Sequence, residues 1–132
     1  MSVQGLAGPA VLVVDDEVGM RDTLTDIFMD AGYQVSSAGD GYEALDRLRE
    51  GHFDVVIMDM RMPGKDGVTT LEEMGPPRPP VIMITAYAVD ELLRRAVASK
   101  AYAVIHKPFG VPHLLRVVET ALKAAPGDGP GQ

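Results

Sequence analysis

The residues with reactive side chains stand out because they follow or end apolar segments. The acids Asp15 and Asp16 follow one such segment, Asp59 ends a second, Thr85 a third and Lys107 a fourth. Carboxylates brought together repel one another, and the repulsion raises the pKa of at least one of them unless a cation joins the group. Oxygen ligands without cysteine or histidine favour a hard divalent ion. The acids therefore predict a Mg²⁺ site, with Mn²⁺ as the alternative ion.

A carboxylate held beside a metal ion, a hydroxyl and an amine is suited to phosphoryl transfer. An aspartate can attack phosphorus and form an acyl phosphate. The transfer requires an aligned nucleophile and compensation of the charge on the phosphoryl oxygens. In this interpretation the metal contacts one oxygen, Lys107 contacts a second, and the Thr85 hydroxyl or a nearby backbone N–H contacts the third. Asp59 is then the nucleophile as well as a metal ligand.

Two kinds of segment alternate along the chain and must bring these residues together. Val-rich and Ile-rich segments of strand length alternate with segments whose apolar residues recur at helical spacing. The predicted strands are 10–16, 33–38, 53–59, 81–85 and 103–107, and the predicted helices are 18–31, 41–50, 67–74, 90–100 and 112–125. The pattern predicts an α/β chain, a doubly wound (βα)5 parallel sheet with helices on both faces. Ligands bind outside the carboxyl ends of such strands, where all the reactive residues fall.

The helical spacing also predicts which side chains are buried. In the first helix the inward residues are Met20, Leu24, Ile27, Phe28 and Ala31. In the fourth helix they are Leu92, Leu93, Ala96 and Val97. Both sets place a stripe of apolar side chains against the sheet.

Composition excludes several classes of function. The net charge of -7, from 12 basic and 19 acidic residues, argues against direct nucleic-acid binding. The absence of cysteine excludes disulfides and thiolate metal sites, and it fits a cytoplasmic location. No signal peptide and no apolar run near the ~18 residues of a membrane span is present. Residues 1–9 are predicted to be a flexible tail, 10–124 one domain, and 125–132 a flexible tail or the start of a linker.

Four motifs in order resemble the receiver domain of response regulators in two-component signalling. They are "VVDDE", "VVIMDMRMPGKDG", "IMITAY" and "HKPF", and each lies at the end of a predicted strand. The resemblance covers 10–124, nearly the whole chain. Within the family, "ITAYA" and "AYAVIHKPF" are most similar to receivers of the NtrC type and of sporulation phosphorelays.

The resemblance implies a flavodoxin-like strand order, 2-1-3-4-5, and a role for each site residue. It implies that a histidine kinase or phosphotransfer protein phosphorylates Asp59, with Thr85 and Lys107 as contacts of the phosphoryl group. It implies that Asp16, Asp59 and the carbonyl of Met60 hold Mg²⁺, with Asp15 acting through water. It also implies a cis peptide between Lys107 and Pro108.

The implied output is a change in protein contacts. Phosphorylation alters the face formed by the fourth helix, the fifth strand and the fifth helix, and so regulates a partner or an attached output domain. Exposed residues predicted on that face are Arg94, Arg95, Lys100, His113 and Arg116.

The chain departs from the family pattern in three places. Val104 occupies the position, three before the lysine, where the family often has an aromatic ring that rotates inward. The nearest ring is that of Tyr102, predicted on the same face as Val104 by strand alternation. Lys100 replaces the usual glycine after the fourth helix, which predicts a less sharply ended helix. The exit of the third helix, "EEMGPPRPP", is rich in proline and has no assigned role.

Two positions are predicted to set the lifetime of the phosphoryl group. Arg61 and Tyr87 lie two residues after Asp59 and Thr85, where family members admit or block water. A long cation and a ring predict a partly shielded site and a slow to intermediate lifetime.

Other functions remain as alternatives. A Mg²⁺-dependent phosphatase with an aspartate nucleophile needs an acid two residues later, where this chain has Arg61. A flavin-binding domain needs a loop rich in Ser, Thr and Gly after the first strand, but "DDEVGMRD" is acidic. Taken alone, Asp15 and Asp16 also fit a turn or a helix cap.

Overall fold

The computed structural model describes residues 8–86 and 90–124, and in these ranges strands and helices alternate. The strands are β1 (Ala10–Val14), β2 (Gln34–Ala38), β3 (Val55–Asp59), β4 (Val81–Thr85) and β5 (Ala103–His106). The helices are α1 (Val18–Asp30), α2 (Gly41–Glu50), α3 (Gly67–Glu73), α4 (Asp90–Ala98) and α5 (Val111–Lys123). The predicted tails lie outside the described residues except for Gly8 and Pro9, whose carbonyls accept hydrogen bonds from Gln34.

The strands form one parallel sheet in the order β2-β1-β3-β4-β5, which confirms the predicted topology. Its register brings the strand ends together. Asp59 at the end of β3 lies opposite Ile84 in β4, and Thr85 at the end of β4 lies opposite His106 in β5. Lys107 follows His106 directly, and Asp15 lies just after β1. Four of the predicted site residues therefore meet at this edge, namely Asp15, Asp59, Thr85 and Lys107.

Helices cover both faces of the sheet, so the chain has two apolar layers. The layer under α1 and α5 includes Phe28 and Leu114, both fully buried. The layer under α2, α3 and α4 includes Ala44, Leu71 and Ala96, which are also fully buried. Burying a large aliphatic or aromatic side chain contributes about 1.5–3 kcal/mol, so these layers stabilise the sheet that positions the site. None of the helices in the described ranges has the length and hydropathy of a transmembrane segment.

Two predicted core residues are exposed. Val97 is 65% exposed because the buried stripe of α4 is centred near Ala96, and each residue turns the helix by roughly 100°. Ala31 is exposed because α1 ends at Asp30, and the chain then turns at Gly32, where φ is 95°. The helical periodicity is correct in both helices. The predicted buried stripe is one residue too wide in α4, at Val97, and one residue too long in α1, at Ala31.

The end of α4 is sharply defined, contrary to the prediction from Lys100. The Lys100 N–H donates to Val97 and the Ala101 N–H donates to Ala96, the hydrogen-bond pair of a Schellman motif. Lys100 adopts the left-handed conformation, with φ 66°, that glycine usually supplies. The guanidinium of Arg78, from the proline-rich segment, donates to the carbonyls of Ser99 and Lys100. This segment therefore helps to end the helix.

Asp54 joins the beginning of β3 to the beginning of β1 at the end of the sheet opposite the site. One carboxylate oxygen accepts from the Ala10 N–H at 2.8 Å, and the other lies 3.0 Å from Nε2 of His52. The hydrogen bond from Ala10 is the main reason why the pKa of Asp54 lies below its ordinary value of 3.8. The ionised carboxylate is thus the form that stabilises the fold.

We expect Asp54→Asn to flatten the acid limb of the stability curve. The folded-state pKa is lowered, so the contribution of Asp54 is present above its unfolded pKa and is lost as the pH falls through its folded pKa, below about 4. Urea unfolding from pH 6 to pH 3 measures this. The variant should be less stable than the wild type at pH 6 and should lose less stability on acidification. Parallel curves would contradict the assignment.

Candidate functional site

The three acids predicted to form a metal site lie together. Asp15, Asp16 and Asp59 each offer a carboxylate oxygen, and these oxygens lie within 4.8 Å of one another. The arrangement follows from the sheet, because β1 and β3 are neighbours and both end at this edge. Asp15 is buried, Asp59 is half-buried and Asp16 is exposed. A ligand can therefore approach the cluster from the side of Asp16.

Asp15 is the most constrained of the three acids. Its N–H donates to the Ala38 carbonyl at 3.2 Å, and its Oδ1 accepts from the Glu17 N–H at 2.9 Å. The pKa of Asp15 is raised from 3.8 to about 6, mainly by burial and to a lesser extent by the negative charges of Asp59 and Asp16, and this net value includes the lowering effects of the Glu17 N–H and Lys107. Repulsion between like charges, the cause expected from the sequence, thus contributes less than burial.

Lys107 supplies positive charge to the acid cluster. Its Nζ lies 3.2 Å from Oδ2 of Asp59 and 3.9 Å from Oδ2 of Asp15. The side chain is only 21% exposed, so this ammonium is directed at the acids from a partly desolvated position. The peptide between Lys107 and Pro108 is cis, as the resemblance implied. One ammonium does not balance three carboxylates, so the site retains capacity for a divalent cation.

Thr85 lies beside Lys107 at the edge of the same site. It is 2% exposed and ends β4, and its carbonyl accepts from the Lys107 N–H at 2.7 Å. The segments that carry the predicted hydroxyl and amine contacts are therefore joined directly. A ligand that contacts both side chains would contact the segments that lead into α4 and α5.

The turn after Asp59 holds the remaining predicted ligand. The Met60 N–H donates to the Ile84 carbonyl at 2.8 Å, and the Met60 carbonyl accepts from the Gly67 N–H at 3.0 Å. A carbonyl oxygen has two lone pairs, so one remains available for a metal ion. A Cβ at position 67 would lie 2.1 Å from the Asp59 carbonyl oxygen. Glycine is therefore required where α3 begins.

Arg61 contacts Asp59 through its main chain. The Arg61 N–H donates to Oδ1 of Asp59 at 3.0 Å, while Oδ2 faces Lys107. The Arg61 side chain is exposed and lines a cavity of about 370 Å³, together with Met62 and Leu92. Tyr87, the other residue predicted to affect lifetime, lies outside the described residues.

The prediction that Tyr102 and Val104 share a face is wrong. Tyr102 is buried in the layer under α1 and α5, whereas Val104 packs against the layer under α2, α3 and α4. Strand alternation does not apply to this pair, because β5 begins at Ala103 and Tyr102 lies in the bend before it. Tyr102 therefore does not supply the ring that Val104 lacks.

The charged residues of the predicted output face differ in their exposure and in the contacts that they make. Arg95 donates to both carboxylate oxygens of Glu72 in α3, at 2.8 and 3.1 Å, and to the Thr69 hydroxyl at 3.2 Å. It is thus a link between α3 and α4. Arg94 pairs with Glu91 and is exposed. The other residues predicted on this face are exposed, namely Lys100, His113 and Arg116.

One residue at the site was not predicted. The Arg21 guanidinium donates to the main-chain carbonyl of Asp15 at 2.6 Å. The sequence offered a weak signal, because Arg21 follows Glu17 by four residues in the first turns of α1 and so faces the same edge. Nothing in the sequence indicated a main-chain acceptor.

Comparison with known proteins gives the same result as the geometry. Residues 11–119 match the family model described as the response regulator receiver domain. The regulatory protein AtoC of Escherichia coli is 39% identical over 86% of this chain and 25% of its own length. The sporulation initiation phosphotransferase F of Bacillus subtilis is 32% identical over 85% of this chain and 92% of its own. Among solved structures, chemotaxis protein CheY4 of Vibrio cholerae has a TM-score of 0.81 at 31% identity, covering 87% of this chain and 99% of its own.

The relatives differ in how much of their length the chain matches. It spans about a quarter of AtoC and about half of the transcriptional regulatory protein PdtaR of Mycobacterium tuberculosis, which is 35% identical over 85% of this chain. It spans nearly all of the sporulation protein and of CheY4. The family model spans the acid cluster, Thr85 and Lys107. The chain therefore belongs to the family of response regulator receiver domains, which are phosphorylation-dependent signalling switches.

Proposed function

We propose that Asp59 accepts the phosphoryl group, from a phosphohistidine of a histidine kinase or a phosphotransfer protein. A carboxylate oxygen of Asp59 forms the new bond to phosphorus, the phosphorus–nitrogen bond breaks, and the histidine ring nitrogen keeps the electron pair and takes up a proton. The observation that carries the proposal is the placement of Lys107, 3.2 Å from Asp59 inside a cluster of three carboxylates.

The acid cluster fits Mg²⁺ in its donor chemistry. Asp16, Asp59 and the Met60 carbonyl would hold the ion, and Asp15 would act through a bound water. All these donors are oxygens, which hard divalent ions prefer. The ion would neutralise charge on the phosphoryl oxygens. Lys107 would orient a second phosphoryl oxygen and the Thr85 hydroxyl a third, while the Arg61 N–H holds Oδ1 of Asp59 in place.

The proposed switch begins at Thr85 and Lys107. Thr85 ends β4 shortly before α4, and Lys107 follows β5 shortly before α5. A phosphoryl group that draws both side chains inward would therefore change the α4–β5–α5 face (residues 90–123, including β5), which we propose contacts the output partner or an attached domain. The switch occupies the predicted domain, 10–124. The chain acts as a regulator rather than as a turnover enzyme, because Arg61 stands where the phosphatase alternative needs an acid.

The proposal is tested by NMR with beryllofluoride, a mimic of the phosphoryl group. With Mg²⁺ present, we expect amide shifts around Asp59, Thr85 and Lys107, together with shifts across the α4–β5–α5 face. Asp59→Asn should lose both sets. Shifts confined to the site would contradict the proposed output face. Equal shifts in the wild type and the variant would contradict Asp59 as the acceptor.

We expect Asp16→Asn to weaken Mg²⁺ binding. The exposed carboxylate of Asp16 is one of the oxygens within 4.8 Å of its partners, and an amide oxygen lacks its negative charge. Loss of an outer-shell partner typically costs 10–100-fold in metal affinity, so loss of a direct ligand should cost at least about as much. An NMR titration with Mg²⁺ measures it, with Asp22→Asn, an exposed acid of α1, as the control. Equal affinities in both variants would remove Asp16 from the site.

We expect Arg61→Ala to shorten the life of the acyl phosphate. The hydrogen bond from the Arg61 N–H to Asp59 remains in the variant, whereas the cover that the side chain gives against water is lost. A change in barrier below 1 kcal/mol corresponds to roughly threefold faster hydrolysis. Decay of the phosphorylated protein after removal of the donor measures this, with the exposed Arg49→Ala as the control. A half-life of seconds in the wild type would contradict the partly shielded site.

A further inference from the structure

Arg21 is a charged residue beside the acid cluster that the phosphotransfer scheme does not use. It lies in the first turns of α1, where its N–H donates to the Glu17 carbonyl at 3.0 Å. Its side chain is half-buried, and Nη1 donates to the main-chain oxygen of Asp15 at 2.6 Å. Such a short, charge-assisted hydrogen bond is stronger than one between neutral groups. Arg21 therefore holds the Asp15 carbonyl rather than either carboxylate of the acid pair.

The fold leaves a defined space for this guanidinium at Gly39. A Cβ at position 39 would lie 3.2 Å from Nη1 of Arg21, closer than side chains normally approach. The Gly39 N–H donates to Oε1 of Glu43 at 2.8 Å, which fixes the loop between β2 and α2. The guanidinium thus lies between this loop and the loop that carries the two acids. A side chain at position 39 would require the guanidinium to move by a few tenths of an ångström.

The carbonyl that Arg21 holds belongs to the peptide group between Asp15 and Asp16. A peptide group is planar, so the direction of its oxygen sets the direction of the Asp16 N–H and the start of the Asp16 residue. The Asp15 N–H and side chain are already fixed by Ala38 and Glu17. The hydrogen bond from Arg21 completes this set. This hydrogen bond therefore also limits the orientation of the exposed Asp16, whose side chain has to face Asp59.

We infer that Arg21 is a positioning residue for the metal site. It fixes the Asp15–Asp16 peptide so that both carboxylates point at Asp59 before the ion arrives. This inference rests on the proposed function, because it assumes that the acid cluster binds Mg²⁺. It assigns to Arg21 an effect on metal affinity without direct contact with the ion.

The charge of Arg21 and its positioning role have opposite effects on cation binding. A guanidinium beside three carboxylates repels an incoming cation, so its removal would tighten Mg²⁺ binding if charge were its whole effect. If Arg21 orients the ligands, its removal weakens binding, because ordering of the Asp15–Asp16 peptide then accompanies binding. The sign of the change in affinity therefore distinguishes the two roles.

The test is an NMR titration with Mg²⁺ alone on four variants of the full chain. We expect Arg21→Met to weaken Mg²⁺ binding by about tenfold, the lower end of the range for outer-shell partners. Arg21→Lys retains a donor and should restore part of the affinity. Gly39→Ala keeps Arg21 but crowds its guanidinium, so it should weaken binding by an intermediate amount. Arg49→Met removes an exposed arginine of α2 and should leave the affinity within about twofold of the wild type.

The outcomes separate this inference from the proposed function. Unchanged or tighter binding in Arg21→Met, with a wild type that binds Mg²⁺, would overturn the positioning role and leave the metal site standing. A wild type that binds no Mg²⁺ would overturn both. Should Arg21→Met unfold, Gly39→Ala decides alone, because its backbone conformation is open to alanine and its arginine is intact. Wild-type affinity in Gly39→Ala would then overturn the inference.

Discussion

Asp59→Asn is expected to lower the rate of acyl phosphate formation by more than about 10³-fold with a small-molecule donor such as acetyl phosphate. The amide is nearly isosteric with the carboxylate but is not a nucleophile at neutral pH. The hydrogen bond from the Arg61 N–H can be kept by the amide oxygen, so the turn should not change. Intact-protein mass spectrometry after incubation with Mg²⁺ and acetyl phosphate measures the result.

The same variant should remain folded, which makes the loss interpretable. Removal of the Asp59 charge takes away one of the effects that raise the pKa of Asp15. Without Mg²⁺, the variant should therefore be at least as stable as the wild type in thermal unfolding. Asp54→Asn, which removes an acid at the opposite end of the sheet, is the matched control and should be phosphorylated normally. Phosphorylation of Asp59→Asn at more than about a tenth of the wild-type rate would show that another residue accepts the group.

Lys107→Met is expected to slow phosphorylation by about 10²–10³-fold, the usual cost of losing one preorganised donor to a developing negative charge. The Lys107 ammonium lies 3.2 Å from Asp59, and the side chain is only 21% exposed. Methionine has a similar length and no charge. The backbone hydrogen bond from residue 107 to the Thr85 carbonyl does not depend on the side chain.

The Lys107 variant should show the opposite effect on metal binding. With the ammonium gone, the three carboxylates lose the cation that contacts them directly, so Mg²⁺ should bind more tightly than in the wild type. Lys123→Met, an exposed lysine at the end of α5, controls for loss of net charge. Slower phosphorylation together with tighter Mg²⁺ binding would show that Lys107 assists phosphoryl transfer and does not help to bind the metal ion. A phosphorylation rate within about threefold of the wild type would contradict the role of Lys107.

The sequence predicted the fold and the clustering of most candidate site residues, because both depend on strand ends. Asp59, Thr85 and Lys107 each end or follow an apolar strand, and a parallel sheet places all such positions at one edge. The errors arose where local geometry decides the outcome. Tyr102 lies one residue before β5, so the alternation that was applied to it does not hold. Val97 lies just beyond the buried stripe of a short helix.

Contacts to the main chain were the part of the site that residue types could not predict. Arg21 acts on a carbonyl, and any residue has one, so no pairing of side-chain chemistry pointed to it. Lys100 in the left-handed conformation is a similar case. Its helix end is completed by carbonyls that accept from Arg78, 22 residues away from Lys100 along the chain. Both contacts depend on which loops the fold brings together.

Asp59 itself is proposed to carry the phosphoryl group, and mapping of the modified residue tests this proposal. The wild-type protein is incubated with Mg²⁺ and acetyl phosphate, the acyl phosphate is reduced with borohydride, and the product is located by peptide mass spectrometry. We expect reduction of the side chain at position 59 and at no other acid. Modification at Asp15 or Asp16, or recovery of an unmodified Asp59 from fully phosphorylated protein, would contradict it.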